Sequence, residues 1–240
     1  KGALLNKIRE YAANTTNKNQ VQRLAASLDT LSEIVTKDDT NAVMSLLKLN
    51  LSDGKGLGAP FPLLVEAIAK LPRAAVLEHA VAILNTADAS PNAYQGSQAC
   101  LIIGEFGNRA QVPDLLKGLT HKGSITRMAV AKALRTMAAP EEDIAKLTPL
   151  LEDEDTDAIL LVLDIFAEFQ CKNSVPEILK ALDNESETVV QKAIFALGAI
   201  ADPRAAIALN NVLWPKVKGT PAEKRRKLLE KRMARGNAAW

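Results

Sequence analysis

One apolar template recurs along this chain at a nearly constant interval, and it restricts the fold more than any other feature of the sequence. Counting back 3, 4 and 7 positions from Phe106 gives Ile103, Ile102 and Ala99, which share one face of a helix with it. The same template ending at Met137 reads Leu134, Ala133 and Val130, and ending at Phe169 it reads Phe166, Ile165 and Val162. Ending at Ile200 it reads Leu197, Ala196 and Ala193. All sixteen positions are apolar, and the four reference residues lie 31, 32 and 31 positions apart. In a chain that is 48% hydrophobic, sixteen of sixteen arises by chance about once in 10⁵ trials. The sequence is a repeat.

Each template is followed by a turn signal: Gly107-Asn108, Ala139-Pro140, Lys172-Asn173 and Asp202-Pro203. A second, shorter apolar helix comes next. Its residues are Val112, Leu115, Leu116 and Leu119, then Leu147, Leu150 and Leu151, then Val175, Ile178, Leu179 and Leu182, and finally Ile207, Val212 and Leu213. Pro113 and Pro176 stand in the first turn of two of these, where a missing N–H is no loss. Weaker copies precede them: Leu64, Ala67, Ile68 and Leu71 with the partner helix Val76 to Leu84, and Leu24, Ser27, Leu28 and Leu31 with Val43, Leu46 and Leu47. The longer intervals among these early copies place inserted loops at 52–60 and 88–92. The pattern predicts six hairpins. No hairpin of about 30 residues buries its apolar face alone, so the copies must stack. The expected organisation is an N-terminal capping helix within 1–19, a repeat array over 20–214, and a basic helix or tail over 215–240.

Composition agrees. Ala (38) and Leu (33) dominate the 240 residues while aromatics are 4%, a bias toward helix and away from strand. No apolar run approaches the ~18 residues of a membrane-spanning helix. The two cysteines, Cys100 and Cys171, are too few and too far apart for a disulfide framework or a metal knuckle, and their apolar surroundings mark them as small core residues. Lys1 to Asn6 carries no secretory apolar region, so a cytoplasmic chain is expected, read as a processed form or as an excised piece of something longer.

The turns Gly104-Glu105-Phe106-Gly107-Asn108 and Gly198-Ala199-Ile200-Ala201-Asp202 share a pattern, as do Val112-Pro113-Asp114-Leu115-Leu116 and Val175-Pro176-Glu177-Ile178-Leu179. Together they make the hairpin resemble the short HEAT repeat of the phycobilisome-lyase type, from about Gln20 to Trp214 and most strongly from Tyr94 onward. The resemblance implies an all-α fold, an α-solenoid (HEAT-like superhelix) of about six stacked antiparallel hairpins. Similar arrays include scaffolds, adaptors, transport receptors and a few enzymes, so function has to be read from the residues.

Those residues supply no catalytic set. HEAT-like metal hydroxylases bind iron through several His-Glu pairs, whereas His79 and His121 are the only histidines here. The aromatic-lined cleft of helical-repeat DNA glycosylases is unmatched, since Tyr11, Tyr94, Trp214 and Trp240 are scattered. Asp153, Asp155, Asp157 and Asp164 mimic the spacing of a calcium loop, but Ala158 replaces its glycine and the stretch runs into a repeat helix, so Asp155 or Thr156 is read as a helix cap. Gly54-Lys55-Gly56-Leu57-Gly58 lacks the Ser/Thr and the preceding strand of a phosphate loop. No catalytic residue, metal ligand or cofactor is assigned.

Two sets of binding candidates remain. Asp114, Lys117, Glu177 and Lys180 occupy equivalent polar positions on second helices, which in such arrays usually line the concave side; Lys146 and Asn210 extend the set. The alternative for the first four is plain i,i+3 ion pairing. The segment from Lys216 to Arg235 has nine basic and two acidic residues, with Lys224, Arg225, Arg226, Lys227, Lys231, Arg232 and Arg235 beside the narrow apolar stripe Leu228, Leu229 and Met233. It suits a polar cap on the last hairpin, or an anionic partner such as nucleic acid or an anionic membrane surface. The expected function is a non-enzymatic protein-protein interaction module, with a nucleic-acid-associated protein as the alternative.

Overall fold

The computed structural model describes residues 1–13, 17–51, 60–87, 94–213 and Lys227, with side chains through Asn210 in the last long stretch. The glycine-rich turn at 54–58, the insertion at 88–92, Trp214 and the basic segment apart from Lys227 lie outside the described residues. Among the described residues there are thirteen α-helices and no strand. They fall into two compact units, Lys1–Ala139 and Pro140–Trp240.

In the first unit, α1 (Gly2–Ala12) lies against α2 (Lys18–Ile34), and α2 packs on α4 (Pro60–Ile68). The short α3 (Thr40–Met44) tightens into the 3₁₀ turn Ser45–Lys48 and touches both α4 and α5 (Arg73–Thr86). The helix α6 (Tyr94–Phe106) packs between α5 and α8 (Ser124–Thr136), and α7 (Val112–Lys117) touches α5 and α8. In the second unit, α9 (Glu141–Ile144) leads into the 3₁₀ stretch Ala145–Glu152, which lies against α10 (Thr156–Glu168). Then α10 packs on α12 (Glu187–Ile200), while α11 (Val175–Lys180) contacts α12 and α13 (Pro203–Leu213). First helices thus stack as the pairs α2 with α4 and α6 with α8 in the first unit and α10 with α12 in the second, while α5 packs against α6.

The template is the core. Thirteen of its sixteen residues are buried, and the exceptions, Phe106, Met137 and Phe169, are half-buried at the ends of their helices. The weaker early copies behave alike: Leu24, Leu28, Leu31, Leu64, Ala67, Ile68 and Leu71 are all buried. One expectation fails. The pattern puts Ile207 on the apolar side of the last second helix, yet it is 77% exposed and Ala205 is buried instead. Counting explains this: Ile207 stands seven residues after Ile200, as Pro113 and Pro176 stand seven after Phe106 and Phe169, and both prolines are exposed. The fourth second helix also departs from a plain α-helix. Its 3₁₀ winding contains Pro149, which has no N–H to donate to a helical carbonyl.

The helix ends set the period. Ala138, Gln170 and Ala201, each one residue past a reference residue, adopt the left-handed conformation with φ of 46°, 49° and 52°. At two of these ends the next residue closes a Schellman motif, Ala139 N donating to Leu134 O at 3.0 Å and Cys171 N to Phe166 O at 2.9 Å. At the same point in the third hairpin stands Gly107, where a Cβ would come within 2.3 Å of the Ile103 carbonyl oxygen. Starts are fixed too: the Asp155 carboxylate accepts from Asp157 N at 3.0 Å, and Asn108 accepts from Ala110 N at 2.9 Å.

First helices approach closely because small residues face each other. A Cβ built on Gly104 of α6 would sit 2.7 Å from Cα and 2.9 Å from Cβ of Ala133 on α8. In an exposed helix Gly→Ala stabilises by about 0.5–1 kcal/mol. At Gly104 the obstacle is backbone, so Gly104→Ala is expected to destabilise by about 1–3 kcal/mol in urea unfolding, the opposite sign. Conversely, Gln170→Gly removes a left-handed strain of about 1–2 kcal/mol at some cost in chain entropy. It should raise the midpoint of thermal unfolding by about 1–3 °C.

Candidate functional site

Three of the second helices carry an acid in the first turn with a lysine three residues on, a spacing that puts the two side chains over each other on one face. The structure forms this pair three times. Asp114 Oδ1 is 2.7 Å from Lys117 Nζ, Asp143 Oδ1 is 2.6 Å from Lys146 Nζ, and Glu177 Oε2 is 2.5 Å from Lys180 Nζ. The acid at the first turn and the lysine at the last suit the helix dipole at both ends. Sequence reasoning paired the first and third acids with their lysines but left Lys146 alone. Its partner Asp143 is legible from the same three-residue offset, and unlike the other two acids it is buried, its carboxylate turned under the lysine.

All three lysines are exposed, and the Glu177 carboxylate hydrogen-bonded to Lys180 raises the ammonium's pKa above its ordinary value. The two pairs whose acids are also open to water, Asp114–Lys117 and Glu177–Lys180, are worth a few tenths of a kcal/mol each, so they contribute little to the fold. Asp114 and Lys117 belong to the first unit; Lys146, Glu177, Lys180 and Asn210 belong to the second. Within the second unit, Glu177 and Lys180 line a shallow cleft of about 260 Å³ together with Thr148, Glu152, Asp183 and Asn184. Leu151 and Ala181 form its floor. Asn210 is exposed on α13 and is not among the lining residues. Of the basic candidates, Lys227 is described, helical and exposed; Lys224, Arg225, Arg226, Lys231, Arg232 and Arg235 lie outside the described residues.

A second periodic set ties neighbouring turns and escaped sequence reasoning. Arg204 Nη2 donates to Lys172 O at 2.7 Å in the turn of the preceding hairpin, and Asn173 N donates to Glu141 Oε1 at 2.9 Å. In the first unit, Arg73 donates through Nε to Phe106 O and through Nη2 to Gly107 O at 3.0 Å. The signal was present: both arginines follow a proline at the start of a second helix, as Pro72-Arg73 and Pro203-Arg204. Arg204 also bonds Asp202, and that bond holds the Asp202 carboxyl down at about 2.

The remaining polar singularities are structural. His79 bridges α5 to α3, its Nε2 2.8 Å from Asn41 Oδ1 and its Nδ1 2.8 Å from Ala75 O. His121 is buried and its Nδ1 accepts from Gly123 N at 3.0 Å, so it shapes the turn into α8. Cys100 and Cys171 are free and buried, and burial pushes the Cys100 thiol well above its ordinary range and raises that of Cys171, away from the nucleophilic thiolate. Asp164, the last residue of the pseudo-calcium spacing, instead pairs with Lys192 of α12 at 2.7 Å. Among the described residues no group of three or more His, Cys, Asp or Glu is placed to hold a metal ion, and no helix is long and apolar enough to cross a membrane.

The repeat geometry agrees with a known family. The family model for HEAT repeats matches residues 77–163 and 144–217. Among solved structures, the chain is similar to a designed armadillo repeat protein at 18% identity and a TM-score of 0.39, over 82% of this chain and 99% of that one. A search of curated proteins finds no match. The matched segments, together more than half the chain, carry the stacked hairpins and left-handed helix ends described above, and the chain belongs to the HEAT-repeat family, an all-α helical-repeat solenoid.

Proposed function

We propose that this HEAT-repeat chain is a non-enzymatic interaction module that binds a protein partner along its second helices. The observation that carries the proposal is the recurrence of an exposed acid-lysine pair eight residues past the reference residue, at Asp114–Lys117 and Glu177–Lys180, with the pair of buried Asp143 and exposed Lys146 at a shifted position in the intervening hairpin. Exposed pairs worth so little to stability leave their charges and donors available to a partner of complementary charge, at Asp114–Lys117 in the first unit and at Glu177–Lys180 in the second. The cleft beside Glu177 and Lys180, with an apolar floor and polar walls, offers a seat for one partner side chain. In this reading residues 1–19 cap the start of the array and 20–214 form the binding body. Buried thiols and structurally engaged histidines support a binding role over a catalytic one.

The test exploits the weakness of the pairs. A variant exchanging charges within them (Asp114→Lys, Lys117→Asp, Glu177→Lys, Lys180→Glu) keeps each pair and alters the surface pattern. It should unfold within about 5 °C of the natural chain, because the exposed pairs and their fit to the helix dipoles are each worth under ~1 kcal/mol. In quantitative affinity capture, a partner held by the natural chain should be recovered at least about tenfold less by the variant, the equivalent of ~1.4 kcal/mol. Equal recovery by both chains would remove the second helices as the binding surface.

A further inference from the structure

The last first-helix, α12, carries a face built to receive another helix. Two repeat positions define it. Gly104, two residues before the reference residue Phe106, is where the backbone of α8 closes on α6 at Ala133. Gly198, two residues before Ile200, is its counterpart, and no described residue comes within 4 Å of a Cβ built there. Ala167, at the same position on α10, is only 8% exposed. Five residues before the reference, Asp164 of α10 is engaged by Lys192 of α12. The equivalent residue on α12 is Phe195, a large apolar side chain left 63% exposed. The position that α8 closes on α6, and the position that α12 engages on α10, are therefore both open on α12, and the more prominent of the two is aromatic.

We infer that the basic segment 221–235 is the occupant: it folds back as a helix along α12, with Leu229 and Met233 over Phe195 and Gly198 and its cationic side outward. Three features favour this segment over any other partner. Its apolar residues Leu228, Leu229 and Met233 form one narrow stripe, enough to cover a single face and too little for a helix enclosed on both sides. Reach and length fit: six residues, 214–219, span up to ~20 Å, and a 15-residue helix is ~22 Å long, the length of α12. Charge is complementary. Residues 140–213 hold fifteen acidic and five basic residues, while 216–235 hold nine basic and two acidic. Lys227, within the segment, is helical and exposed, as an outward-facing position requires. Docking would give the array the polar terminal cap that a helical repeat needs to keep its end from associating.

Two measurements on the full chain test the inference. A 15-residue helix is marginal on its own in water, so amides of 223–233 should exchange at least about tenfold more slowly than in an unstructured peptide only if the segment is docked. Phe195→Asp, at an exposed position that leaves the fold intact, should abolish that slowing. Separately, the double variant Phe195→Cys with Leu229→Cys should form an intramolecular disulfide at least about tenfold faster than Phe195→Cys with Lys231→Cys, whose thiol faces away. The buried Cys100 and Cys171 do not compete. Unprotected amides in the natural chain, protection that survives Phe195→Asp, equal disulfide rates, or a cross-link between two chains would each overturn the inference; the last would assign the face to a second copy.

Discussion

A hairpin of about 30 residues has two apolar faces and enough chain to cover one of them. Everything else in this protein answers that deficit. The uncovered face of each first helix must be closed by the first helix of a neighbour, and how near the neighbour can come depends on side-chain size at the seam. Where the backbones of α6 and α8 meet, the seam residues are Gly104 and Ala133, separated by less than a Cβ would allow. Small residues at the seam leave room for large buried neighbours on the same two helices, such as Ile102 and Ile103 of α6 and Leu134 of α8. The alanine-rich composition is thus a packing requirement as much as a helix propensity.

Stacking at a fixed distance also demands that each hairpin turn at the same point. The left-handed residues Ala138, Gln170 and Ala201 supply that constancy, and none of them is glycine. A strained conformation held at three successive helix ends indicates that the surroundings determine the turn more strongly than the residue does. The surroundings are visible in the second unit: Arg204 reaches the Lys172 carbonyl and Glu141 accepts from the Asn173 amide, so each turn is held by an adjacent one. Apolar stacking sets the distance between hairpins, and these polar ties set their register.

The apolar half of this scheme was legible in the sequence because burial leaves a periodic signature. Template residues, hairpin number and the Asp155 cap all follow from spacing, and Ile207 was misplaced only because its offset from the reference residue was not compared with that of Pro113 and Pro176. The polar half was less legible. An arginine bonding a carbonyl some thirty residues away leaves no mark except a repeated Pro-Arg pair, and carbonyl acceptors are the same at every position. Asp143 was overlooked for a related reason: it is an acid on the buried side, where pattern reasoning expects none. Among the candidates, pairs within one helix could be read from spacing, while the cleft beside Lys180 needed Thr148 and Glu152 brought in from a separate element.

Charge shows why a near-neutral total is a poor guide to such a chain. Residues 1–139 carry sixteen basic and eleven acidic residues, and 140–213 reverse the balance to five and fifteen before the basic segment reverses it again. Mixed charge along an array suits solubility without preference, but blocks of alternating sign do not arise from solubility alone. A cationic helix following an acidic stack is attracted to it over a distance of about one Debye length, ~8 Å at physiological salt, far beyond the range of apolar contact. That attraction would bring the segment back to its own chain before the exposed Phe195 meets another molecule. The fold would thereby guard its last open face with the same residues that, read from sequence alone, suited either a terminal cap or a site for an external anion.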